Sequence, residues 1–181
     1  MVKTLAKSIR EYKKDSILTP ILVSLEVVME VIIPLLMANL IDYGIDEGNM
    51  GYIWKMGTAL LIAAFLSLFF GAAAGKTAAY ASAGLAKNLR MDMYYNVQNF
   101  SFSNIDKFST SSLVTRLTTD VTNVQNAYQM MIRMAMRAPV MLIFALVCAF
   151  RVSAKLSMVF LICVPILGIG LYVIMTKVHP I

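Results

Sequence analysis

The chain has 181 residues, 59% of them hydrophobic and only 14% charged, with a formal net charge of +6 and a mean hydropathy of +0.73. A soluble domain carries about 25% charged residues, and one core could not enclose this much apolar surface. Composition therefore excludes a soluble globular domain and a disordered chain, and two cysteines exclude a disulfide-stapled scaffold. A polytopic all-α membrane protein remains. The positive charges flank apolar runs, which marks them as membrane-bordering rather than nucleic-acid-binding.

Residues 1–16 carry Lys3, Lys7, Arg10, Lys13 and Lys14 interleaved with Leu5, Ile9 and Tyr12. That spacing predicts an amphipathic cytoplasmic elbow on the inner membrane surface. Spanning a bilayer takes about 20 apolar residues, and four candidate spans follow, at 17–41, 56–74, 134–150 and 156–176. The first contains Glu26 and Glu30, four apart and costly at depth, where they could pair with cations of a substrate or of a neighbouring helix. The second is preceded by a short loop bearing Asp42, Asp46, Glu47 and a single cation, Lys55. The third has an apolar core of only 13 residues, 138–150, and requires the stretch around Arg133 and Arg137 to enter the bilayer edge. Those two arginines share a helix face that would meet water or a cavity. Pro34 and Pro165 are candidate kinks in the first and fourth spans. Lysine and arginine concentrate in residues 1–16 and 75–137, which puts the N-terminus, the middle segment and the tail in the cytoplasm of a plasma or inner membrane.

The middle segment, 75–137, lacks proline and is rich in helix formers at 76–100. From 111 onward, Leu113, Leu117, Val121, Val124 and Tyr128 recur at helical spacing. Between the two stretches, Ser101, Ser103, Asn104 and Ser109 to Ser112 supply turn and cap chemistry. The reading is a cytoplasmic helical hairpin continuing spans two and three, each arm about 38 Å long at 1.5 Å per residue. At its tip, Phe102, Ile105 and Phe108 fall three apart behind a cap at Ser103, as a protein contact or as packing between the arms.

Nothing in the chain carries catalysis. Gly71-Ala72-Ala73-Ala74-Gly75-Lys76-Thr77 is one residue short of a phosphate loop and ends an apolar helix instead of following a strand. Gly71 and Gly75 read better as a small-residue packing face. Cys148 and Cys163 lie in apolar runs as small hydrophobes, and His179 is isolated at the end. The fourteen methionines suit adaptable apolar surface. Asn99-Phe100-Ser101 fits a glycosylation pattern on the side where it would not be used.

Several of these pieces, together covering most of the chain, resemble the transmembrane domain of bacterial ABC exporters of the multidrug and lipid type. They are the amphipathic leader, Pro34 followed by Ile41-Asp42-Tyr43-Gly44, Phe108 through Val121 with Thr115-Arg116-Leu117-Thr118-Thr119-Asp120-Val121, and Arg137-Ala138-Pro139. The resemblance implies that Phe102, Ser103, Asn104, Ile105, Asp106, Lys107 and Phe108 form a coupling helix against a nucleotide-binding domain. That domain, absent from this chain, would bind ATP and Mg. The stalks would transmit its movement to a cavity that alternates between inward and outward access for a hydrophobic or amphipathic substrate, with a second transporter half as partner. Family members have six spans per half; this chain ends after the fourth, at Ile181, so it is expected to be a partial subunit that neither transports nor hydrolyses ATP alone. Two other readings compete. A membrane sensor would need a larger external segment than the short outer loops provide, and a proton-coupled transporter using Glu26 and Glu30 would have no role for the hairpin.

Overall fold

The computed structural model describes residues 8–99, 110–152 and 154–178 and contains no strand among them. It divides into two units, Met1–Pro139 and Val140–Ile181. A 3-10 turn at Arg10–Tyr12 leads into helix α1, Lys13–Leu40, which ends in a π-helical segment, Ile41–Ile45. Gly48, with φ of 64°, turns the chain in a conformation that disfavours any side chain. Asn49 then caps the next helix, its side chain accepting a hydrogen bond from the Tyr52 N–H at 3.2 Å. Helix α2 runs unbroken from Met50 to Gln98, 49 residues. The short helix α3, Thr110–Thr115, passes through a π segment, Arg116–Asp120, into α4, Val121–Val152. Helix α5, Ala154–Val178, belongs to the second unit.

Length alone says what α2 is for. Its 49 residues rise about 74 Å, more than twice the roughly 30 Å of a hydrocarbon core. One end must therefore project far from the bilayer. Among the described residues, three helices are long and apolar enough to cross a membrane, at Arg10–Ile45, Met50–Gln98 and Ser111–Arg151; the apolar stretch Ile162–Lys177 in α5 is shorter.

The first unit is packed inside out relative to a soluble bundle. Most of its buried side chains are small: Thr19, Val23 and Val27 on α1, and Ala74, Ala78, Ala81 and Ser82 on α2, with Leu85 and Asn88 as the larger exceptions. Its large apolar side chains point outward, including Ile17, Ile21 and Leu25 on α1 and Leu61, Phe65, Leu68 and Phe69 on α2. Lipid solvates leucine as well as a protein core does, so helices associate through small residues that let backbones approach. Gly71 serves that purpose, since a Cβ there would lie 2.9 Å from Glu26 Oε1. Gly75 does not: nothing lies within 4 Å of its Cβ position, so the expected Gly71–Gly75 face is corrected to one formed by Gly71, Ala74, Ala78 and Ala81. The contacts Tyr12–Gly84, Thr19–Thr77 and Glu26–Gly71 step in opposite directions along α1 and α2, which makes these helices antiparallel. Ser16–Tyr128 and Glu30–Arg137 step together, so α1 and α4 are parallel.

Thr19 Oγ1 donates to Thr77 Oγ1 at 2.9 Å in the dry α1–α2 contact. Thr19→Val keeps the shape and removes this bond, at an expected cost of about 1 kcal/mol in the unfolding free energy of the complete protein, read from its denaturation midpoint. No change would mean that the pair contributes only packing.

The tip residues Phe102 to Phe108 and leader residues 1–7 lie outside the described residues, as does His179. The described part of the leader docks along the α2 stalk. Ser8 Oγ donates to Asp92 Oδ2 (3.2 Å), Arg10 Nη2 to Asp92 Oδ1 (2.7 Å), and Asn88 Nδ2 to the Ser8 carbonyl (2.9 Å). The Tyr12 ring covers Gly84, and Arg10 reaches Asp92 from a backbone with φ of 41°.

Candidate functional site

Charged side chains from two parallel helices meet inside the first unit. Glu26 and Glu30, one turn apart on α1, face Arg137 of α4. Arg137 Nη2 donates to both Glu30 oxygens, at 2.6 and 2.8 Å, and Nη1 to Glu26 Oε1 at 3.3 Å. The Glu26 side chain is 13% exposed, against 32% and 33% for Glu30 and Arg137. Its second oxygen, Oε2, is buried and accepts no hydrogen bond from a described residue. Of the two partners open to the carboxylates from sequence, the structure supplies the neighbouring helix. The pairing follows from the cost of an isolated charge among apolar side chains: each group is tolerated because the other is within reach.

Arg133 is placed differently. It borders two clefts and makes no hydrogen bond or ion pair with a described residue. One cleft, about 460 Å³, is formed largely by α4, with Asn126, Gln129, Met130 and Met134 beside the two arginines. The other, about 530 Å³, lies between Arg133, Glu26 and the small-residue face of α2 around Ser67 and Gly71. Polar contacts hold α4 at this register: Ser82 Oγ donates to Gln129 Oε1 (3.4 Å), and Tyr128 Oη donates to Ser16 Oγ (2.8 Å). Arg116 and Asp120, at the two ends of the π segment, border a third cleft near Leu89 and Met93 of α2. Among the described residues no group of His, Cys, Asp or Glu is placed to hold a metal ion.

Four of the sequence-selected residues thus come together: Glu26, Glu30, Arg133 and Arg137. Sequence reasoning missed the clasp made by Ser8, Arg10 and Tyr12 on Gly84, Asn88 and Asp92. Gly84 and Asn88 are the buried positions of α2 that receive it, one leaving room for the Tyr12 ring and the other supplying an amide donor. Local spacing alone, however, cannot pair residues 80 positions apart.

Residues 16–181 match the profile of the ABC transporter transmembrane region. The chain is similar to the ABC transporter ATP-binding protein YfiB of Bacillus subtilis, 36% identical over 87% of this chain and 27% of that protein. It is also similar to the ABC transporter ATP-binding protein Rv1273c of Mycobacterium tuberculosis (25% identical, 100% of this chain and 31% of that protein). A third similar protein is the ATP-dependent lipid A-core flippase of Pseudoalteromonas translucida (26% identical, 74% and 23%). The chain therefore spans less than a third of the length of these relatives. An inside-out helical bundle with a helix too long for the bilayer, matched by the family profile over nearly its whole length, makes this chain a member of the ABC transporter transmembrane-region family.

Proposed function

We propose that this chain supplies membrane helices of an ATP-driven exporter subunit, lining part of the translocation path and coupling the movement of a nucleotide-binding domain to alternating access. The observation that carries the reading is α2, a single 49-residue helix whose stalk is braced by the leader and by α4. A stiff helix turns displacement at its far end into displacement of its membrane end, whereas a loop would absorb it. In this reading the N-terminus and stalk are cytoplasmic, in the bacterial inner or plasma membrane. Phe102, Ser103, Asn104, Ile105, Asp106, Lys107 and Phe108 contact the nucleotide-binding domain, which holds ATP and Mg. A second transporter half completes the path. Glu26, Glu30, Arg133 and Arg137 border the cavity, which takes a hydrophobic or amphipathic substrate. Each access state must bind that substrate with different affinity for the cycle to move it.

Single cysteines at Ile105 or Asp106 test the coupling contact in the complete transporter. They are expected to crosslink to cysteines on the nucleotide-binding domain, with yields that change between ATP-bound and nucleotide-free protein. Absence of a crosslink in every nucleotide state would overturn the proposal.

A further inference from the structure

The four charged groups on α1 and α4 are paired unevenly. Arg137 holds Glu30 by two short bonds, 2.6 and 2.8 Å, and reaches Glu26 by one of 3.3 Å. Glu26 Oε2 is buried and accepts no hydrogen bond from a described residue. Two carboxylates facing one guanidinium leave the cluster with negative charge in excess. The balancing charge stands one turn away on α4, where Arg133 has no partner among the described residues. Glu26 and Arg133 border the same cleft, about 530 Å³, whose other walls include Ile33, Ala64 and Leu68. Each group lacks what the other supplies, and apolar surroundings raise the cost of leaving them apart. The helix geometry makes the missing pair reachable. Glu26 and Glu30 are four apart, Arg133 and Arg137 are four apart, and α1 and α4 run parallel. Arg137 now lies between the two glutamates. A displacement of α4 along α1 by about half a turn, about 3 Å at 1.5 Å per residue, therefore sets each arginine opposite one carboxylate.

Resting on the exporter reading, we propose that Glu26 changes partners during the cycle: in the ATP-bound state Arg133 holds Glu26, Arg137 keeps Glu30, and the 530 Å³ cleft closes between the new pair. The strong Arg137–Glu30 contact is the part that persists, and the single 3.3 Å bond to Glu26 is the part that gives way. Relative movement of these two helices follows from their connections. Helix α4 continues from the tip side of the hairpin through α3 and the π segment, so force applied there reaches it directly. Helix α1 is tied instead to α2, through the small-residue face and the leader. Every charge is paired in the second arrangement, and what opposes it is the loss of contacts specific to the first, such as Tyr128 to Ser16. Two discrete registers of similar energy make a switch rather than a gradual deformation.

The test uses the complete transporter in nanodiscs, freed of its other cysteines and carrying Ser67→Cys on the cleft wall. The rate of modification by N-ethylmaleimide, a small neutral reagent, is expected to fall about tenfold when a non-hydrolysable ATP analogue binds, the population shift that one charge-assisted pair supports. Arg133→Gln and Glu26→Gln should each abolish that protection, and the double variant should lose no more than either alone, because one shared interaction is removed in all three. Arg133→Lys keeps the charge without the fork and should retain part of the protection. Without nucleotide, Arg133→Gln should melt no lower than the parent, which also shows that the variant is folded. Full protection in Arg133→Gln, or a lowered melting temperature without nucleotide, would overturn the exchange. ATP turnover of the parent separates the two readings. Turnover with no protection at position 67 sinks the exchange alone, protection without turnover sinks the exporter reading alone, and the absence of both sinks both.

Discussion

Arg137→Ala is expected to destabilise the complete protein by about 3 kcal/mol, the lower end of the range for breaking a buried ion pair by removing one partner. The lower end applies because Arg137 and Glu30 keep about a third of their side-chain surface exposed, so solvent screens part of the interaction. The loss arises less from missing attraction than from what stays behind: two carboxylates one turn apart, one of them 13% exposed, with no counterion within 4 Å among the described residues. The control follows from the same physics. Adding Glu26→Gln and Glu30→Gln to an Arg137→Met background removes the stranded charges, and most of the lost stability should return. Thermal unfolding of the purified complete transporter distinguishes the variants. An Arg137→Ala protein that melts with the parent would show that the cluster does not hold α1 to α4.

Gly84→Val should cost a comparable amount, about 2–3 kcal/mol, the upper part of the range for overpacking a close contact. A side chain at position 84 would fall on the Tyr12 ring, whose inner carbons cannot move aside without moving the leader. The leader would lift from the stalk and take with it the Ser8–Asn88, Ser8–Asp92 and Arg10–Asp92 bonds. A disulfide between cysteines at Ser8 and Asn88 reports this directly, forming readily in the parent background and slowly with Gly84→Val. Adding Tyr12→Ala makes room for the new side chain and should restore crosslinking. If Gly84→Val leaves the crosslinking rate unchanged, the leader is not held by that contact.

Both predictions turn on features that are unevenly legible in the sequence. The stalk was legible because a long proline-free stretch of helix formers needs no tertiary partner to be recognised, and α2 indeed continues the apolar run 56–74 through Lys76 to Gln98. The ionic residues of the site were legible too, because glutamates and arginines inside apolar surroundings are rare and conspicuous. Their pairing was not. Glu26, Glu30, Arg133 and Arg137 repeat at the same four-residue spacing, so pattern alone allows either arginine to meet either carboxylate. The register of α1 against α4 chose Arg137 for both and left Arg133 to the clefts. The small-residue face shows the same limit. Gly71 and Gly75 look alike in sequence, yet only Gly71 faces α1.

Hydropathy and helix propensity, which are sums over neighbouring residues, suffice to make this chain a set of membrane helices with one arm too long for the bilayer. Which helix faces meet, which arginine is paired, and where the leader comes to rest depend on contacts between residues 32 to 112 positions apart. Those contacts exist because small side chains let α1, α2 and α4 approach closely enough for short polar groups to reach one another.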